Sequence, residues 1–366
     1  VKYDSQPTLP APASTIGAVG WMRKHLFNGP INTIATLVLG YFSIIFLWPV
    51  LDWSLLSADW IGTTRNDCTS DGACWVFIGQ RLDQFLYGFY PEAETWRLDT
   101  AFFILAALIA WLIIPSTPRK GWVATFTLVI FPIIAFILLS GGYFGLETVE
   151  THKWGGLSLT LVLAVVGIVA ALPFGVLLAL GRQSDMPIVR SLSVVYIEIW
   201  RGVPLITVLF MASVMLPLFF PEGMTFDKLL RALIGITLFQ SAYMAEVVRG
   251  GLQAIPKGQY EAADALGLGY WQKMIMIILP QALKLMIPGI VNTFIALFKD
   301  TSLVLIIGLF DLLAIMQASA NDPNWIGFST EGYVFVALVF WVFCFGMSRY
   351  SMHLEKRLHT GHSNRA

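Results

Sequence analysis

Gly258-Gln259-Tyr260-Glu261-Ala262-Ala263-Asp264-Ala265-Leu266-Gly267-Leu268-Gly269-Tyr270-Trp271, continuing through Lys273 to Leu279-Pro280, is a polar-to-apolar loop between two long apolar runs. Glu261, Ala262, Ala263, Ala265 and Leu266 are good helix formers. Gly267 stands where a glycine ends a helix. A second helical run is expected from Trp271 to Leu279, limited by Pro280. Two short helices joined at an angle by a glycine make a compact knob, and its small alanines would let a partner's groove come close. Glu-Ala-Ala alone would equally suit an ordinary amphipathic loop with a helix stop; the rest of the chain decides between the two.

The 366 residues are 57% hydrophobic and only 13% charged, about half the charged share of a soluble domain. That deficit indicates a membrane protein, with lipid as its solvent. The formal net charge is zero, which gives nucleic-acid binding no electrostatic support. No His or further Cys lies near Cys68 and Cys74 to complete a zinc set. The two cysteines stand six apart in a polar loop, and either a disulfide or two free thiols fits that spacing; an oxidising compartment would favour the bond.

Residues 1–30 read as a disordered tail ending in Arg23-Lys24-His25, without a cleavable leader, so the first span is expected to act as the insertion signal. Ile31 to Leu51 is long enough to cross a bilayer core of about 20 residues, with Trp48 and Trp53 at its far interface. A polar loop follows at 52–97, including a semi-apolar stretch, Trp75 to Phe89, expected to lie along the membrane surface. Further spans are expected at Leu98–Ile114, Trp122–Leu139 (kinked at Pro132) and Leu157–Leu180. Next come a broken span around Gly202-Val203-Pro204 that runs on to Phe220, and Leu229–Val248. After the knob, a span from Leu285 is expected to bend near Lys299 and to be followed by a half-helix, with a last span from Tyr333 to about Met347. The whole is an all-α polytopic membrane protein of about eight transmembrane helices. Loops on the side of the knob carry fifteen Lys and Arg, among them Arg119, Lys120, Arg182, Arg190 and Lys257, against six on the other side. The positive-inside rule then places both termini and the knob in the cytosol.

Glu-Ala-Ala, then Gly267, Ile277 and Leu279-Pro280, resembles the "EAA" loop of ABC importer permeases at every defining position. The resemblance extends over about 200 residues: Gly156-Leu157-Ser158-Leu159-Thr160-Leu161, Tyr196-Ile197-Glu198-Ile199-Trp200-Arg201-Gly202-Val203-Pro204, Ala242 to Leu252, and Phe298-Lys299-Asp300-Thr301-Ser302-Leu303. Trp200 and Val203 depart from the usual Phe and Thr. The subfamily resembled is that of polar amino-acid permeases, and the extra 150 residues at the front are similar to those of the larger permease subunits of broad-specificity L-amino-acid importers. That resemblance implies a type I importer core of five spans (151–352, with the coupling loop at 258–280) behind three N-terminal spans (31–150), and a cytosolic tail at 353–366. It also implies a bacterial inner-membrane location, a heterodimer with a homologous permease, two copies of a cytosolic ATPase and a periplasmic amino-acid-binding protein. The chain has no phosphate loop of the Gly-x-x-x-x-Gly-Lys-Ser/Thr kind, so ATP and Mg are expected on the partner ATPase, with no cofactor and no catalytic residue in this chain.

Within that frame Glu261, Ala262, Ala263, Gly267, Ile277, Leu279 and Pro280 are expected to couple to the ATPase. Charges inside spans cost about 2.5–3.5 kcal/mol each, so those present need reasons. Glu198 and Arg201 share a helix face; a mutual pair bracing the break is favoured over ligand contact. Glu246 and Arg249, similarly spaced, read as an interfacial anchor. Asp300, Thr301 and Ser302 lie about half a span beyond Leu285, the depth at which broken-helix transporters hold substrate; substrate contact and an inter-subunit brace remain equally open. Other solutes such as opines, an ATP-independent channel or carrier, and a membrane-embedded enzyme are the competing functions. All five histidines lie at or beyond span ends, which weighs against the last.

Overall fold

The computed structural model describes residues 17–114, 116–219, 221 and 226–358, and it divides into two units, 1–77 and 78–366. In the first, α1 (Gly17–His25) precedes α2 (Pro30–Leu51), which runs on as a π turn over Asp52–Leu56. The tail therefore contains a helix where an irregular segment was expected; residues 1–16 lie outside the described part. No residue of α2 is buried, as suits a helix apolar all round. Its far end meets a small folded loop. Trp75 Nε1 donates to the Ser54 carbonyl at 2.7 Å, Asp67 caps the turn after Thr64, and a disulfide joins Cys68 to Cys74 with 5.6 Å between their Cα atoms. Short α3 (Trp75–Gln80) follows.

The second unit begins with α4 (Leu82–Tyr87), then α5 (Thr95–Ile113), α6 (Lys120–Thr125), α7 (Phe131–Ser140) and α8 (Gly156–Arg182). The Trp75–Phe89 stretch, expected along the membrane surface, packs in part against the rest of the protein. Phe85 is fully buried, its ring lies 5.3 Å from that of Phe335 at a tilt of 33°, and Arg81 pairs with Asp322, while Leu82, Asp83 and Phe89 stay exposed.

The chain goes on through α9 (Pro187–Gly202), α10 (Leu205–Phe210), α11 (Lys228–Ala254), α12 (Lys257–Ala265), α13 (Tyr270–Lys273), α14 (Leu279–Leu285), α15 (Ile287–Asp300), α16 (Leu312–Ala320) and α17 (Ser329–Leu358). Among the described residues six helices are long and apolar enough to cross a membrane, and α9 with the segment from Leu205 to Phe219 makes a seventh, bent by 102° at the Val203-Pro204 break. Phe220, the expected end of that span, lies outside the described residues. Helix α11 is equally long at 27 residues. Its polar residues are tolerated because it is the central helix: Ala232, Ile236, Phe239, Met244, Ala245 and Val248 are all buried. Small residues permit this close packing; a Cβ at Gly175 of α8 would sit 2.6 Å from the Met244 side chain.

Three π turns, Phe126–Ile130, Met211–Met215 and Met274–Ile278, each end two residues before a proline, Pro132, Pro217 and Pro280. A proline lacks the N–H for the i−4 carbonyl and its ring crowds that carbonyl. Widening the preceding turn lets the helix pass. Leu279 N, for example, donates to Met274 O, five residues back. Pro280 therefore does not limit the second helix of the knob; it sits in the first turn of α14, which continues to Leu285.

The span from Ile287 also differs from expectation. It does not bend at Lys299 but tightens into a 3-10 helix over Thr301–Ile307. The chain turns at Gly308, whose φ of 74° favours glycine. Asp311, fully buried, then caps α16 by accepting from Ala314 N at 3.0 Å and Leu313 N at 3.3 Å. Burial pushes its carboxyl up to about 6 from the usual 3.8, against the opposing pull of those two backbone hydrogen bonds. The folded form thus holds this proton more tightly than the unfolded chain. Its contribution is full below the unfolded value and is lost as pH rises through the folded one. In thermal unfolding, wild type should lose up to about 3 kcal/mol more than Asp311→Asn between about pH 4 and about pH 6; equal pH slopes would contradict this assignment.

Candidate functional site

The knob is built from α12, a glycine turn and α13. Leu268 N donates to Ala263 O at 3.2 Å and Gly267 N to Asp264 O at 2.9 Å. These two bonds, with Gly267 at φ 72°, are the Schellman ending of a helix, and they fix the angle at which the chain leaves α12. The second arm is tied back by Lys273 to Asp264 at 2.5 Å, and its start is capped by Gly269 N donating to Gln272 Oε1 at 3.1 Å.

The knob is fastened to the spans at three points. Tyr260 Oη donates to Leu252 O of α11 at 3.3 Å. Gln281 Nε2 of α14 donates to Gln259 Oε1 at 3.1 Å and to Ile277 O at 2.8 Å. Met274, Ile278 and Ala282 pack on Val248, Leu252 and Ile255, while Gly251 lets the Ala282 carbonyl approach so closely that a Cβ would lie 2.6 Å from it.

The expected coupling residues divide by exposure. Glu261, Ala262, Gly267 and Pro280 are exposed, Ile277 and Leu279 are half-buried, and Ala263 is fully buried. Ala263 thus packs inside the knob and offers no face to a groove; Leu266, at 76% exposed, projects instead. Tyr270, Trp271, Ile275 and Met276 are exposed beside it. Sequence reasoning named the alanines and missed this apolar rim, although the run Trp271 to Ile278 was visible. Such a patch marks a surface that meets another protein or the membrane.

Above the knob, Glu246 of α11 gathers three arginines. Its carboxylate lies 2.8 Å from Arg182 of α8, 2.7 Å from Arg249 and 3.9 Å from Arg201 of α9. Arg201 also stands 5.6 Å over the Tyr243 ring. Glu198 pairs with Arg182 at 3.1 Å, so the expected Glu198–Arg201 brace is replaced by a cluster spanning three helices. A single turn places residues three apart on one face, but longer arms reached across helices, a choice the sequence does not display. Arg182 read only as part of a basic turn.

Asp300, Thr301 and Ser302 sit where α15 passes into its 3-10 extension. The hydroxyls of Thr301 and Ser302 donate to the carbonyls of Phe298 at 2.8 Å and Lys299 at 2.9 Å. Asp300 is half-buried. Among the described residues no hydrogen bond or ion pair joins this set to Glu198 or Arg201. Gln240, unforeseen, is buried in α11 and donates to Thr293 O of α15 at 2.8 Å, which holds this helix against the central one.

A family model described as "Binding-protein-dependent transport system inner membrane component" matches residues 171–360, the part that contains the Glu246 cluster, the knob and Asp300. The chain belongs to this family. As a binding-protein-dependent transport component it is a multi-span membrane permease, and membership carries with it, in general terms, an ATPase and a solute-binding protein as partners. It is 58% identical over 357 residues to "Inner membrane amino-acid ABC transporter permease protein YhdY" of Escherichia coli strain K12, covering 98% of this chain and 97% of that one. It is 43% identical to "Glutamate/glutamine/aspartate/asparagine transport system permease protein BztC" of Rhodobacter capsulatus, covering 99% and 98%. A shorter relative, "Probable glutamine ABC transporter permease protein GlnP" of Bacillus subtilis, is 33% identical and covers 56% of this chain and 92% of its own.

Proposed function

We propose that this chain is the permease subunit of an ATP-driven importer of polar L-amino acids, of the glutamate, glutamine, aspartate and asparagine type or broader, with the knob facing the cytosol. Likeness over nearly the full length to an amino-acid permease carries the reading. A rigid knob with an exposed apolar rim supports the coupling part of it. Its proposed partners are a homologous permease in a heterodimer, two ATPase copies that bind ATP and Mg, and a periplasmic amino-acid-binding protein.

The geometry suggests how work passes. A force on Leu266, Ala262 and Glu261 meets no loose joint, because the Schellman turn and the Lys273–Asp264 bond lock the two arms. Through Gln281, Tyr260 and the Gly251 contact it reaches α14 and α11. Glu246 passes the movement of α11 to α8 and α9 through Arg182 and Arg201. Tilting of these helices would open the path alternately to each side.

Uptake of radiolabelled amino acids into cells carrying the complete importer tests the substrate class; accumulation dependent on this chain is expected for Glu, Gln, Asp and Asn, and none for any of them would overturn it. In the same assay Asp300→Asn distinguishes the two readings of that residue. If Asp300 meets the substrate ammonium, apparent affinity should fall by about tenfold or more, as for a lost charge-assisted hydrogen bond. Unchanged affinity and selectivity would make it a brace.

A further inference from the structure

We propose that the groove between α5 and α6 holds one acyl chain of an anionic phospholipid, whose phosphate rests on Arg119. The cavity has a volume of about 740 Å³ and is walled by Leu108 and Trp111 of α5 and by Trp122, Phe126 and Ile130 on the other side. It starts at the turn of Pro118 and Arg119 and reaches Ile130. Ten helical residues from Lys120 cover about 15 Å, half of a hydrocarbon core about 30 Å thick. A slot of one leaflet's depth with a cation at its mouth fits a phospholipid; a free anion would need no such slot, and a peptide would leave its backbone groups unsatisfied in it.

The mouth is built to present a charge. Trp111 Nε1 donates to Pro118 O at 3.2 Å, and Lys120 Nζ donates to Leu112 O at 3.1 Å, against the carbonyl end of α5. These contacts pin the turn and hold Lys120 at the end of α5, where its ammonium keeps its charge next to Arg119. Arg119 stays exposed, and no acidic group pairs with it among the described residues. Its backbone is left-handed, with φ 54° and ψ 35°, a conformation that a residue with a Cβ holds only when its surroundings impose it. Trp111 and Trp122 flank the mouth, as indoles do at the level of lipid headgroups. Basic clefts between membrane helices take anionic headgroups by the same charge complementarity.

Native mass spectrometry of the full chain, released from micelles with equal phosphatidylglycerol and phosphatidylethanolamine, tests the site. Wild type should retain one phosphatidylglycerol in preference to phosphatidylethanolamine. Arg119→Gly removes the guanidinium and relieves the left-handed backbone, so the turn should persist; retention should fall about fivefold. Thr125→Trp leaves Arg119 in place and fills the groove, and should lower retention as well. Thermal midpoints measured on the same samples establish that both variants are folded. Equal retention of the two lipids, or undiminished phosphatidylglycerol in Arg119→Gly, would overturn the proposal. So would Thr125→Trp with wild-type retention, which would mean headgroup attraction without an occupied groove. Displacement of phosphatidylglycerol by millimolar inorganic phosphate would likewise overturn it, by showing a simple anion site.

Discussion

Replacing Gly267 by aspartate should reduce uptake by about a hundredfold while the protein still inserts and folds. A Cβ at this position meets nothing within 4 Å, so no packing is lost inside the chain. The left-handed backbone costs a non-glycine residue about 1–2 kcal/mol, small beside the 5–15 kcal/mol that keeps a domain folded. The larger effect arises outside the chain. A carboxylate and a displaced Schellman turn would stand beside Leu266 at the proposed contact with the ATPase, where losing a central residue would cost about 2–4 kcal/mol. Gly267→Ala, which has the strain without the charge, should fall between. The readings are uptake, ATPase retained on purification, and membrane content; normal uptake by Gly267→Asp would remove the lever from the account.

Glu246→Ala should be the most damaging change within the spans. It leaves Arg182, Arg249 and Arg201 facing one another, with only Glu198 remaining on Arg182. Removing one member of a buried ion pair costs about 3–5 kcal/mol; Glu246 keeps 16% exposure and its partners more, so about 2–3 kcal/mol is expected. The thermal midpoint should drop by about 3–4 °C. Glu246→Gln, which keeps a hydrogen-bond acceptor, should lose less. In a double-mutant cycle Glu246→Gln and Arg182→Gln should couple by about 1–2 kcal/mol, whereas additive losses would mean that α8 and α11 are not tied there.

Much of the knob was legible because its rules are local. A run of helix formers followed by a glycine predicts a Schellman ending, and Gly267 has that conformation. The prolines were misread for the same reason: locally Pro280 ends a helix, but a π turn ending two residues earlier absorbs it. Lys299 and Asp300 suggested a bend because charge interrupted an apolar run, yet the helix only tightens there and turns at Gly308. The Glu246 cluster was hidden because Arg182 lies 64 residues away along the chain. Long side chains choose among several partners, and only the approach of α8, α9 and α11 decides.

The central claim is that the knob stands in the cytosol and receives work from a separate ATPase. Leu266→Cys, in a chain with Cys344→Ser to remove the free thiol outside the Cys68–Cys74 disulfide, reports on both parts. An impermeant maleimide should label it in inside-out vesicles and not in right-side-out spheroplasts, and a bound ATPase should protect it. Labelling from the outside, or labelling from the inside that the ATPase leaves undiminished, would contradict the account.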